Sequence, residues 1–233
     1  MARKHNPVFP GRQKRRESAQ AGSWAAVGID TSMTAISMVG IGYDSVLGKM
    51  TKVRLTDCRW PGDMDYIQRL ASAAKTHEMM FDVLPINCPL DRVWIAQEEP
   101  VPMGMIGARR GNFQSGWIKQ QCEVSGAVLG SLAKYGYPNI FQINNSQWRS
   151  AVKKEGQVIR KGPEGKWDVK AWAIQAYGLP DLADLVAGKN GGKIPRPESG
   201  YGAKAKAVQP DDIYDAAACL AWMTNHIEEG GLI

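Results

Sequence analysis

The chain has 233 residues, 44% of them apolar and 22% charged, a balance that excludes a disordered or collagenous chain and suits one large globular domain. Its longest apolar run, Ala216–Met223, has eight residues, far short of the roughly 18 a membrane helix needs, so neither a membrane span nor an apolar secretory leader is expected. The net charge of +6 is unevenly spread: six Lys/Arg against one Glu in residues 1–22, 12 bases against six acids in 149–206, and five acids with no Lys or Arg in 207–233. Such a tail and midsection suit a polyanion partner, or else a solvated face. The four cysteines, Cys58, Cys88, Cys122 and Cys219, form no CxxC pair, which argues against a disulfide framework or a zinc site and for buried reduced thiols in a cytosolic protein.

Residues 1–22 contain Pro7, Pro10 and the run Arg12-Gln13-Lys14-Arg15-Arg16 without apolar periodicity, the composition of a disordered basic arm. The two prolines also interrupt any amphipathic mitochondrial presequence. From Trp24 the pattern changes. Ala25–Asp30, Thr34–Val39 and Met50–Thr56 read as three strands of an antiparallel meander joined by Gly-rich turns. Ile67, Leu70, Ala74, Phe81 and Leu84 recur at helical spacing between Gly62-Asp63 and Pro85. Arg92–Gln97 is a fourth strand and Ser115–Lys134 a second helix, with Ile118, Cys122, Ser125, Leu129 and Leu132 on one face. Ile140–Ile143 is a fifth strand. Helices are expected at Ser146–Lys153, Lys166–Tyr177 and about Asp211–Ile227, with a mobile Gly/Pro/Lys-rich loop at 188–210. The whole describes a mixed α/β domain over 23–233.

Three of these apolar elements end or begin in acids: Asp30 after the first strand, Glu98-Glu99 after the fourth, and Asp211, Asp212 and Asp215 at the last helix. Taken singly, each acid has an ordinary role as a turn former, a solvated group or a helix cap. Together they are a potential all-oxygen ligand set, because clustered carboxylates repel unless a cation neutralises them, and oxygen ligands suit Mg²⁺ or Mn²⁺. On the last helix Asp212 and Asp215 are about 60° apart, on the stripe continued by Cys219, Trp222 and Met223. Both carboxylates are therefore expected to point at the sheet ends carrying Asp30 and Glu98. Asp211, just after Pro210, suits a cap.

Val27-Gly28-Ile29-Asp30, Ile95-Ala96-Gln97-Glu98-Glu99-Pro100 and Asp212-Ile213-Tyr214-Asp215-Ala216 resemble the acidic motifs of the RuvC-like Holliday junction resolvases, which are RNase H-like nucleases. Val152-Lys153-Lys154, a Gly-containing loop and Gly165-Lys166-Trp167-Asp168-Val169 are similar to that family's basic segment. The resemblance implies an α/β fold with a five-stranded mixed sheet in the order 3-2-1-4-5, flanked by helices. It implies Asp30, Glu98, Asp212 and Asp215 as catalytic metal ligands, with Glu99 or Asp211 as alternatives to their neighbours. Two Mg²⁺ ions, or Mn²⁺ in their place, would serve in-line phosphodiester hydrolysis that leaves a 5′-phosphate and a 3′-hydroxyl. Lys153, Lys154, Arg160, Lys161 and Lys166, with Arg109 and Arg110, would contact DNA.

The implied partners are branched DNA, typically a four-way junction, and a second copy of the chain paired partly through the Ser115–Lys134 helix, with no membrane and no nucleotide cofactor. The implied compartment is the cytoplasm of a bacterial or phage-infected cell. The sequence departs from the family in reading Asp30-Thr31-Ser32 where Asp-Pro-Gly is usual. It also has a longer segment at 101–114, where Met103, Met105 or Phe113 would have to supply the junction wedge. Two other readings stay open: an actin-like or sugar-kinase-fold phosphotransferase, since Gly28-Ile29-Asp30-Thr31-Ser32 resembles that fold's first phosphate motif, and a non-catalytic nucleic-acid-binding module. The first would need a second such half and a glycine pair for adenosine, for which there is little room.

Overall fold

The computed structural model describes residues 22–61, 63–100, 113–159, 164–180 and 212–230. The expected basic arm, except for Gly22, and the expected loop at 188–210 lie outside the described residues. Among the described residues six strands, β1 (Trp24–Thr31), β2 (Ala35–Asp44), β3 (Lys49–Met50), β4 (Arg54–Arg59), β5 (Val93–Glu98) and β6 (Asn139–Ile143), form one mixed sheet. Its order is β3-β2-β1-β5-β6, with β4 also paired to β2. The third expected strand is thus two short ones on the same neighbour, and the remainder of the expected order is observed. The hairpin pairs are antiparallel, while β1–β5 and β5–β6 are parallel.

β2 runs five residues beyond its expected end. Gly40 and Gly42 had read as turn residues, yet both lie within the strand, where a Cβ would stand 2.5 Å from the Val83 carbonyl oxygen and 2.7 Å from that of Trp24. Glycine here permits close backbone approach.

The helix expected across 67–84 is two, α1 (Tyr66–Ala73) and α2 (Thr76–Val83). Asp65 caps α1 in a reciprocal capping box with Gln68. At the break, Lys75 N–H turns back to the Ser72 carbonyl at 2.9 Å, and the buried Thr76 hydroxyl donates to the Ala73 carbonyl at 2.6 Å. The remaining helices are α3 (Phe113–Tyr135), α4 (Asn145–Lys154), α5 (Glu164–Tyr177) and α6 (Asp212–Gly230). A second capping box, Asn144 with Gln147, starts α4.

Strand alternation sorts the core into two layers. Val27 and Ile29 of β1, with Val93 and Ile95 of β5, pack against α2 and α3. Trp24 and Ala26, with Trp94 and Ala96, pack against α4, α5 and α6. No described helix is long and apolar enough to cross a membrane. α6 is buried on nearly all sides from Ile213 to Ala221, not along a single stripe, because its alanines let it sit between the sheet and two helices. On α3 the buried positions among the described side chains are Ile118, Val124, Ser125, Val128, Ser131 and Leu132. Cys122, expected on that face, is exposed and Cys58 half-buried; only Cys88 and Cys219 are the buried thiols foreseen for all four. The buried face is centred near Val124 and Val128, and a residue two positions before Val124 falls on the opposite side of the helix.

Candidate metal centre

The parity that faces Ala26 and Ala96 towards α6 also governs the acids. β1 and β5 pair in parallel with Ile29 opposite Gln97, so the next residue on each strand, Asp30 and Glu98, stand side by side and face α6. The odd partner Gln97 turns the other way, where its amide donates to Thr31 Oγ1 at 3.2 Å and Ser125 Oγ at 2.8 Å. α6 can lie against β1 because residue 28 is glycine: a Cβ there would be 2.0 Å from the Ala216 carbonyl oxygen and 2.4 Å from Leu220 N. That seat brings in Asp215, the residue before Ala216. Carboxylate oxygens of Asp30, Glu98 and Asp215 all lie within 4.8 Å of one another.

Asp30 is 8% exposed. Burial pushes its carboxyl well above the ordinary value, and the negative charges of Glu98, Asp212 and Asp215 push it further. Burial raises Glu98 as well, although Trp148, Asp30, Asn145 and the Arg149 guanidinium all act against that rise. The Asn145 amide donates to Glu98 Oε1 at 3.5 Å. The Trp148 indole N–H acts on Glu98 through its dipole without closing a hydrogen bond of normal geometry. A buried thiol, Cys219, lies one turn below and is raised by burial and by the same acids.

Three converging carboxylates, with Asp30 raised by its acidic neighbours and Glu98 by burial, are a site short of positive charge. The donors are all hard oxygens, which fits a divalent cation such as Mg²⁺ or Mn²⁺, and Asp30, Glu98 and Asp215 are the residues that would hold it.

Asp212 has a second set of partners. It lies near enough to raise Asp30, but its Oδ2 is 3.6 Å from Arg59 Nη1 and accepts from Ser32 Oγ at 3.5 Å. Arg59 in turn places Nε 2.7 Å from Asp57 Oδ2, and Asp57 Oδ1 accepts from Ser37 Oγ at 2.5 Å. Sequence reasoning did not single out Arg59, Asp57 or Arg149. Residues 57 and 59 alternate onto one face of β4, but the pattern of that strand alone does not reveal that this face meets α6. Ser32 was visible as a departure from the family motif, without a role.

Glu98 joins the cluster and Glu99 does not; Glu99 is exposed, and its N–H donates to the Ile143 carbonyl at 2.7 Å. Asp211, Arg109, Arg110, Arg160, Lys161, Met103 and Met105 lie outside the described residues; of Lys166 and Phe113 only the backbone is described. Lys153 is exposed. Lys154 is exposed and bonded to Glu229 at 2.7 Å, a contact that lowers the Glu229 carboxyl. Trp148 is buried in the core, with the Arg149 guanidinium 5.4 Å from its ring centroid.

No protein-family model matches the chain, and no curated protein matches it in sequence. Its fold has solved counterparts. Thermus thermophilus RuvC superposes with a TM-score of 0.51 at 16% identity, over 88% of this chain and 96% of that one. The same bacterium's RuvC in complex with a Holliday junction substrate superposes with a TM-score of 0.50 at 15% identity, over 89% of this chain and 96% of that one. The chain has the RNase H-like fold of RuvC.

Proposed function

We propose that this chain, sharing the RuvC fold, is a structure-selective endodeoxyribonuclease that resolves four-way or otherwise branched DNA by metal-assisted hydrolysis of a phosphodiester. The observation that carries the reading is the convergence of Asp30, Glu98 and Asp215 within 4.8 Å at the ends of β1, β5 and the first turn of α6. Divalent ions, two in the full reaction, would lower the pKa of an attacking water and stabilise the leaving oxygen, giving a 5′-phosphate and a 3′-hydroxyl. The chain's own part is preorganisation. Asp30 is fixed by a fully buried strand, Asp215 by a helix wedged on Gly28, and Glu98 by Asn145 and the charge of Arg149. Positive charge on α4, at Arg149 and Lys153, would meet the phosphate backbone beside the acids. A homodimer would match the two-fold symmetry of a junction and nick opposed strands.

The test is a labelled four-way junction and a linear duplex of the same sequence, each incubated with Mg²⁺, with Mn²⁺ and with EDTA. Paired nicks in the junction, dependent on metal and absent from the duplex, are expected. Metal-independent cleavage, no cleavage of branched DNA, or ATP consumption instead would overturn the reading. Within it, Lys153→Ala should weaken junction binding equally on different sequences and lower the slope of log K against log salt by about one. Fluorescence anisotropy from 50 to 200 mM salt measures that slope directly, and an unchanged slope would assign Lys153 to a solvated face.

A further inference from the structure

We infer that Arg59 is a positioning residue for the metal centre, acting through Asp212; the inference rests on the proposed metal-dependent reading. Of the four acids expected as ligands, Asp30, Glu98 and Asp215 have oxygens within 4.8 Å of one another, and Asp212 alone also meets Arg59 and Ser32 through its Oδ2. Two groups share that oxygen, the Arg59 guanidinium at 3.6 Å and the Ser32 hydroxyl at 3.5 Å. A carboxylate held at one oxygen keeps the other in a set direction, from which Asp212 would join Asp30, Glu98 and Asp215 as a fourth donor once a cation is bound.

The grip is itself anchored. Arg59 and Asp57 have side chains only 15% and 6% exposed, and their charged atoms stand 2.7 Å apart. Asp57 is tied to Ser37, and Ser37 is the β2 partner of Asp30 itself. A polar row therefore crosses the sheet from β1 through β2 to β4 and returns over the top to α6. Buried ion pairs of this kind add little stability by themselves, since the lost hydration offsets the attraction. They do restrict orientation, which is what a ligand's outer partner supplies, and loss of such partners typically weakens metal binding by about 10–100-fold.

The experiment is calorimetric titration of Mn²⁺ into wild-type protein, Arg59→Gln, Arg59→Lys, Asp212→Asn and the double variant Arg59→Gln/Asp212→Asn, with melting in EDTA as the fold control. Arg59→Gln should lose roughly 10–100-fold in Mn²⁺ affinity, and Arg59→Lys should recover part of it by keeping the charge. The double variant should bind no more weakly than Asp212→Asn alone, because the two residues act as one unit. Additive losses, unchanged affinity or tighter binding in folded Arg59→Gln would overturn the inference. Should Arg59→Gln not fold, Arg59→Lys against Asp212→Asn decides by the same criterion. Wild-type protein that binds no Mn²⁺ would instead remove the metal reading itself.

Discussion

Asp30→Asn should abolish junction cleavage and, at the same time, make the metal-free protein more stable. The two effects have one cause. In wild-type protein the Asp30 carboxyl is held above its ordinary value of 3.8 by burial first and by its acidic neighbours second. The unfolded chain therefore gives up that proton at lower pH than the folded one. Stability is fully present below about 3.8 and is lost as pH rises through the raised folded value. Glu98, raised from 4.5, adds in the same direction. Without metal, wild-type protein should melt lower at pH 8 than at pH 5, and Mg²⁺ should restore it by binding the folded state alone. Asn at position 30 removes the charge, so the metal-free melting temperature rises, by roughly 2–4 °C for each ~1 kcal/mol relieved in a chain of this size. The same change removes a ligand, so the Mg²⁺-induced rise shrinks and cleavage falls to background. Melting curves at pH 5, 6.5 and 8, with EDTA or Mg²⁺, test this directly. A variant that melts lower than wild type in EDTA at pH 8 would show that the cluster is not under electrostatic stress.

How far the site could be read in advance depended on which contacts were local in the chain. Asp30 and Glu98 were legible because strand alternation and an acid at each strand end are properties of short segments. Asp215 followed from helical spacing within one turn. Asp212 shared that turn, and the same arithmetic sent it to the same place. What the spacing could not show is its pairing with Arg59, 153 positions earlier in the chain, on a strand whose face towards α6 is decided by β2 pairing. No local pattern carries that information. The split of 67–84 into α1 and α2 was hidden for a similar reason, since the apolar spacing continues through a break made by Ser72, Lys75 and Thr76. Cys122 was misplaced because the buried face, which keeps Ile118, Ser125 and Leu132, is rotated by about 70° towards Val124 and Val128.

Gly28→Ala should be among the most damaging single-methyl changes in the chain. The added Cβ would stand 2.0 Å from the Ala216 carbonyl oxygen and 2.4 Å from Leu220 N, where ordinary contact is 3.4–4 Å. Both obstacles are backbone, so no rotamer change relieves them. β1 is fully buried and paired on both sides, which leaves α6 to move outward by more than an ångström. Overpacking of a core usually costs about 1–3 kcal/mol, and two rigid elements place this case at the upper end, a fall of roughly 6–12 °C in melting temperature. Asp215 moves with Ala216, so Mn²⁺ affinity should drop even in the folded fraction, where a purely global loss of stability would leave it intact. Gly126→Ala on α3 is the control. No atom lies within 4 Å of its added Cβ, and replacing an exposed helical glycine should stabilise by about 0.5–1 kcal/mol. Melting and Mn²⁺ titration of the two variants side by side separate a lost helix seat from a general intolerance of change. If Gly28→Ala melts within 2 °C of wild type, roughly the shift of under 1 kcal/mol, and binds Mn²⁺ normally, then α6 is not seated on β1 at that residue, and the approach of Asp215 to Asp30 has another origin.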